Sequence, residues 1–286
     1  MSEKRPLIER FTAAMVRKPY ADPHGSKGLI GVFTRAQPHV VRRYTLVLPG
    51  WPRFPRPLRI AFLSDFHIGS HTGDIVRHTG IAVEVAALAP DVVLFGGDYM
   101  NMQIAGRGRV PPETIARLLA RMNGRSGRFA ILGNHDYLYG RHEVAQALRA
   151  AGIAVIEHGE DRFTFGKSMI RVVGMPDAHI AWTAGRGLLA GLPREPAIVL
   201  THDPMHFADV PAGPFLTLAG HTHGGQVRLP GIGAVTNASR APMRWTHGLV
   251  VEGGRHLIVT AGLGTSGIPL RIGVPPEYVI VEVTGA

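Results

Sequence analysis

Five short polar clusters interrupt the apolar runs of this chain: Ser64-Asp65-Phe66-His67, Gly97-Asp98, Gly133-Asn134-His135-Asp136, Thr201-His202-Asp203 and Gly220-His221-Thr222-His223. Singly, each has a bland account. Asp65 and Asp98 suit turns, Asn134 tolerates positive φ, His202 could be a hydrogen-bonded core histidine, and His221 and His223 could be solvated. Jointly they offer two Asp (Asp65, Asp98), Asn134 and four His (His67, His202, His221, His223), all oxygen or nitrogen donors. That mixture suits borderline divalent ions such as manganese, iron or zinc better than calcium, which takes oxygen only. An Asp can bridge two ions with its two oxygens, leaving about three further protein ligands per ion and open positions for water and substrate.

Such a set works only if the chain brings it to one place. From residue 58 short apolar runs alternate with helix-like segments: strands over 58–63, 92–95 and 129–132, and helices over 74–88, 112–122 and 142–151. This alternation predicts an α/β domain with a largely parallel sheet. The clusters follow the apolar runs, and in open α/β sheets ligands bind at the carboxyl ends of strands, so the five loops can converge on one rim. The later half carries many strand-like runs and little helix, which predicts a second, more antiparallel sheet.

The ordered set Asp65-x-His67, Gly97-Asp98, Gly133-Asn134-His135-Asp136, His202 and Gly220-His221-x-His223 resembles the motif set of the calcineurin-like metallophosphoesterase family, over roughly residues 58 to 285. Gly220 to Gln226, Gly262 to Arg271 and Pro276-Glu277 are further similar to a bacterial branch of envelope-associated phosphodiesterases, which includes UDP-diacylglucosamine pyrophosphohydrolases. The resemblance implies a two-sheet αββα sandwich of the metallo-dependent phosphatase type. It implies that Asp65, His67 and His223 hold one metal, that Asn134, His202 and His221 hold the other, and that Asp98 bridges them. It also implies hydrolysis of a phosphodiester or diphosphate, on a lipid- or envelope-related substrate, by a hydroxide held between the ions, with His135 protonating the leaving oxygen. One position departs from the family's protein phosphatases: an acid expected three residues after the bridging Asp is Asn101 here. That argues against a protein phosphatase and leaves Asp136 as the residue expected to orient His135.

The rest of the chain bounds partners. The formal charge of +10 and pI near 10.6 favour anionic partners: a phosphorylated substrate, an acidic membrane surface or, less favoured without an aromatic-basic platform, nucleic acid. Substrate contacts are expected from Asn134 and from Arg107 and Arg109 in the loop after Asp98. With no cysteine, thiolate chemistry is excluded. No signal peptide or transmembrane run is evident, which predicts a cytoplasmic protein, peripheral to the membrane at most. Residues 1–57 read as an extension before the 58–286 domain, with an amphipathic helix over 7–15 and a Pro-rich connector over 49–57. Gly262-x-Gly-x-x-Gly267 is a dinucleotide-type pattern, but Pro269, Pro275 and Pro276 forbid the helix it needs. A nuclease, a cyclic-nucleotide phosphodiesterase and a metal- or phosphate-binding module without turnover are the competing readings.

Overall fold

Strands β2 (Leu58–Leu63), β3 (Val92–Phe95), β8 (Ala197–Thr201) and β9 (Phe215–Ala219), numbered in chain order, are apolar on both faces and buried along nearly their whole length. Such strands need a covering layer on each side. The computed structural model describes residues 22–25, 34–102, 109–267 and 269–286, and it supplies those layers as two six-stranded sheets packed face to face between helices. The first sheet runs β1 (Val40–Leu48), β14 (Glu277–Gly285), β2, β3, β4 (Arg128–Ala130), β5 (Ala154–Val155). Only β14 against β2 is antiparallel in it. The second runs β12 (Gly248–Glu252), β13 (Arg255–Val259), β9, β8, β7 (Ser168–Gly174), β6 (Gly159–Phe165).

The two-residue period of a strand sorts side chains between layers. On β2 and β14, Leu58, Ile60, Phe62, Val279, Val281 and Val283 face the second sheet, meeting Ile198, Leu200, Leu216 and Leu218. Their alternate neighbours Ala61, Leu63, Tyr278 and Ile280 face the helices α1 (Asp74–Ala87), α2 (Pro112–Leu119) and α3 (Asn134–Ala150). On the far side of the second sheet, Val173, Ala197, Val199 and Leu257 pack with Phe207, Leu189 of α4 (Ala178–Ala190) and Trp245. The result is the αββα sandwich the resemblance implies.

Three expectations change. The second sheet is parallel at its centre, through β7, β8, β9 and β13, and antiparallel only at the outer pairs β6–β7 and β12–β13. The reason is α4, a crossover helix between β7 and β8 broken at Ala181 (φ −139°), whose interruption hides its period in the sequence. Second, α3 begins at Asn134, eight residues before the expected helix, because its first turn is built from polar residues engaged elsewhere. Third, β1 pairs with β14 over Val40–Leu48, so the sheet draws on residues on both sides of the division placed between 57 and 58.

The Pro-rich segment is pinned along its length. Trp51 is buried and its Nε1 donates to the Pro214 carbonyl at 3.0 Å, and Phe54 sits edge-on to Phe165. Arg56 makes a two-pronged ion pair with buried Asp91, at 2.6 and 2.7 Å, while Asp91 also accepts from the Arg59 amide at 2.9 Å. The helix expected over 7–15 lies outside the described residues, as does Arg107. Among the described residues no helix is long and apolar enough to cross a membrane. On α4, Leu189 is core and Trp182 stacks on His206 at 4.8 Å. Replacing Asp91 by Ala leaves the Arg59 amide and Arg56 without their acceptor, so urea unfolding should show a loss of about 1–3 kcal/mol. A midpoint unchanged from the parent would contradict this role.

Candidate metal centre

Each polar cluster sits at the carboxyl end of a strand: Asp65 and His67 after β2, Asp98 after β3, Asn134 after β4, His202 after β8, His221 and His223 after β9. Because β2 and β9 belong to different sheets, the site straddles the top of the sandwich. The loops lock to one another through backbone bonds. Asp65 N donates to Gly97 O (2.9 Å), His67 N to Asp98 O (3.0 Å) and Gly220 N to His202 O (2.9 Å). Both Asp65 oxygens accept the His221 amide at 3.0 Å. Such close approach needs glycine: a Cβ on Gly220 would overlap the Ser64 hydroxyl and the Asp65 carboxylate, and one on Gly264 the Phe66 carbonyl.

Backbone strain is concentrated here. Seven described non-glycine residues have positive φ, and five of them are Asp65, His67, Asp98, His221 and His223. Each costs on the order of 1–3 kcal/mol and persists only where surrounding structure enforces it, a pattern associated with function.

The imidazoles point one nitrogen outward and one inward. His67 Nδ1 donates to the Met100 carbonyl (3.2 Å), His202 Nδ1 to that of Gly96 (2.8 Å) and His221 Nε2 to that of Ala238 (3.1 Å). These bonds fix the tautomers and turn the other nitrogens toward the carboxylates. His67 Nε2 lies 3.2 Å from His223 Nε2 and 3.5 Å from Asp98. His202 Nε2 lies 3.2 Å from His221 Nδ1, 3.2 Å from Asn134 Oδ1 and 3.3 Å from Asp98. Asp98 therefore stands between two groups, Asp65–His67–His223 on one side and His202–His221 with Asn134 on the other. The donor atoms of Asp65, His67 and His223, those of Asp98, His202 and His221, and those of His67, Asp98 and His135 each lie close enough to share a cation.

The donor chemistry fits divalent ions. Burial pushes His67 down to about 3, helped by the charge of His135, and burial likewise lowers His221 and His223, so these rings are neutral, the form that ligates. Burial opposes ionisation of Asp98, yet facing His202 and His135 hold it well below the usual carboxylate range. Burial would lower His202, but the Asp98 carboxylate 3.3 Å away raises it well above its ordinary value: positive charge is favoured beside Asp98.

Asp136 requires a correction. It does not orient His135; its carboxylate accepts four backbone amides, from Asp98 (2.8 Å), Tyr99 (2.9 Å), Met100 (3.1 Å) and Gly133 (2.9 Å). Its fully buried oxygens are consumed in tying the end of β3 to the first turn of α3. Burial, then the Asp98 charge, pushes it up to about 7 against those bonds. His135 instead packs edge-on to His67 at 4.7 Å, donates its amide to Asp98 Oδ1 (2.9 Å) and exposes its ring to a cavity of about 550 Å³. Asn134 lines the same cavity, whereas Arg109 is exposed and does not. Asn101 is buried.

Sequence reasoning assigned no role to Arg271. This buried guanidinium, pushed down to about 10 by burial, donates to the carbonyls of Ala261, Gly262, Gly264 and His223 and lies 3.3 Å from His223 Nδ1. It binds the glycine-rich 262–264 turn, whose Leu263 and Gly264 amides donate to Ser64 and Asp65, onto the centre. Gly262 and Gly264 of the dinucleotide-like pattern thus serve close packing, a Cβ on the first overlapping Asp65 and on the second the Phe66 carbonyl, whereas Gly267 has open space around it. An arginine amid glycines and prolines was the available signal.

The chain matches the family model described as Calcineurin-like phosphoesterase over residues 58–225, more than half its length. It belongs to that family. Among relatives, Phosphodiesterase YaeI of Escherichia coli (strain K12) is 30% identical over 235 residues, covering 79% of this chain and 82% of that protein. Uncharacterized metallophosphoesterase YkuE of Bacillus subtilis (strain 168) is 26% identical, covering 85% and 86% respectively. An uncharacterized metallophosphoesterase of Aquifex aeolicus (strain VF5) is 25% identical over 90% of this chain and 97% of its own. Membership of the calcineurin-like phosphoesterases supports a metal-dependent phosphoester hydrolase, and the Asp/His clusters are what such a protein would use.

If Asp136 acts through the Asp98 turn, Asp136→Asn should weaken metal binding although it meets Asp98 only at the backbone amide and touches no candidate ligand's side chain, since an amide presents donors to amide N–H groups. The expected drop in affinity for manganese is about 10- to 100-fold by calorimetry. Unchanged affinity in the folded variant would refute that role.

Proposed function

We propose that this chain is a phosphodiesterase working with two divalent ions, manganese, iron or zinc. In this reading Asp65, His67 and His223 hold one ion, Asn134, His202 and His221 the other, and Asp98 is shared. The observation that carries it is the position of Asp98, within 3.5 Å of inward-facing imidazole nitrogens on both sides. Bound divalent ions would supply a lowered pKa for water and neutralisation of charge developing at phosphorus. The printed name of the relative YaeI, a phosphodiesterase, supports the choice of diester.

The chain's own residues do the rest. Asn134, at the first turn of α3, reaches the cavity beside the shared carboxylate and orients a phosphoryl oxygen. His135 follows it, with Nδ1 buried and lacking a hydrogen-bond partner among the described residues, and gives a proton to the leaving oxygen. Its ring is held by packing on His67 and by its amide bond to Asp98, so a carboxylate partner is not needed to place it.

The manganese-reconstituted chain should hold close to two ions and hydrolyse bis(4-nitrophenyl) phosphate. His135→Ala should keep the metal and lose about 10²- to 10⁴-fold in kcat, whereas Asp98→Ala should lose both metal and turnover. Equal metal loss in the two variants would contradict these roles, and a metal-replete parent without turnover would sink the hydrolase reading.

A further inference from the structure

The cavity over the centre is one of two that share a wall. The first, of about 550 Å³, holds Asp98 and His135 and is bounded outward by Tyr137 and Leu138. The second, of about 300 Å³, is bounded by Thr222, Gln226, Thr236 and Asn237. His223, Ala238 and Ser266 line both. The dividing wall is rigidly placed. Gln226 clamps Ser266 with both ends of its amide, donating to the Ser266 carbonyl (3.0 Å) and accepting its amide (2.8 Å). Ala238 is tied to the centre by the His221 ring, and next to it Ser239 donates to buried Asp203 at 2.5 Å.

The two lobes differ in chemistry. Leu138 is 70% exposed, belongs to none of the apolar cores, and stands at the mouth of a polar site beside Tyr137. An apolar side chain so placed gains by covering an apolar ligand. In the second lobe Gln226 and the Thr222 hydroxyl are bonded within the protein, so the acceptors that line it are the Thr236 hydroxyl oxygen and Asn237 Oδ1, which match the hydroxyls of a neutral, hydroxylated group. A phosphorus held against Asp98 lies in the first lobe, and the second adjoins it across His223, Ala238 and Ser266.

Resting on the phosphodiesterase reading, we propose that the substrate is a phosphodiester with two unlike arms, an apolar one on the Tyr137–Leu138 shelf and a hydroxylated one in the second lobe, and that the apolar arm leaves. His135 and Leu138 are three residues apart in the first turn of α3, so they share a helix face. The proton donor therefore stands over the apolar arm's oxygen. The water oxygen bonds to phosphorus, the P–O bond to the apolar arm breaks, the proton of His135 passes to the departing alkoxide, and the proton the water loses goes to solvent, from which His135 is reprotonated. The products are an apolar alcohol and the phosphomonoester of the hydroxylated group.

The test uses the manganese-loaded full chain and n-octyl glyceryl phosphate, with products separated by mass spectrometry. Octanol and glycerol phosphate should dominate by about tenfold or more, the ratio expected for roughly 1.4 kcal/mol of preference. Leu138→Asp, on an exposed site that should not disturb folding, should lower kcat/KM for the octyl diester relative to methyl glyceryl phosphate by a similar factor. Glycerol with octyl phosphate in equal or greater amount would overturn the inference. So would failure to cleave the octyl diester while bis(4-nitrophenyl) phosphate is turned over. Failure on both substrates would overturn the hydrolase reading and this inference together.

Discussion

Four backbone amides converging on the Asp136 carboxylate hold the candidate centre in shape. Asp98 sits at positive φ with its amide, and those of the two residues after it, turned toward α3. Left alone, that turn would relax, since the left-handed region costs a non-glycine residue on the order of 1–3 kcal/mol. Asp136 supplies the acceptors that make the strained turn the satisfied one. Because the Gly133 amide joins the same carboxylate, the position of Asp98 between the two groups of imidazoles is coupled to the start of the helix that carries Asn134 and His135.

This coupling explains why the centre is shared between two sheets without a loose seam. The inward nitrogens of His67 and His202 come from different layers yet both approach Asp98, and the His221 amide reaches back to Asp65. Carbonyls behind three of the rings, and Arg271 behind the fourth, set which nitrogen faces inward. The interior layer of Leu, Ile, Val and Phe between the sheets fixes the distance over which these groups meet. Burial that stabilises the sandwich also keeps most of the imidazoles neutral.

Much of this was legible from residue type and order. The strands β2, β3, β8 and β9 announce themselves as short apolar runs, and the polar cluster that ends each one marks the rim. What stayed hidden depends on geometry without a period. The first turn of α3 is Asn-His-Asp-Tyr, polar because it faces the centre and the Asp98 turn, so a search for an apolar stripe starts the helix too late. The kink at Ala181 breaks the repeat that would have revealed α4 and hence the parallel centre of the second sheet. Asp136 was marked by its position next to His135, but neighbours in sequence on a helix point to different sides, and three of its four partners lie 36 to 38 residues away in the chain. Arg271 had no motif to advertise it beyond its setting in a glycine-rich segment.

The placement of β14 carries a consequence for how the molecule is made. It enters the first sheet between β1 and β2, so two strands synthesised early are not joined until one from the far end of the sequence slides in between them. Contacts of such sequence separation form slowly, because loop closure must be met before pairing rewards it. During synthesis the β2 edge, rich in apolar residues, waits unpaired, and the Arg271 anchor just ahead of β14 arrives equally late. The nascent chain thus passes through a stage with an open strand edge and an unassembled centre, the period in which a chaperone or premature self-association would compete for it.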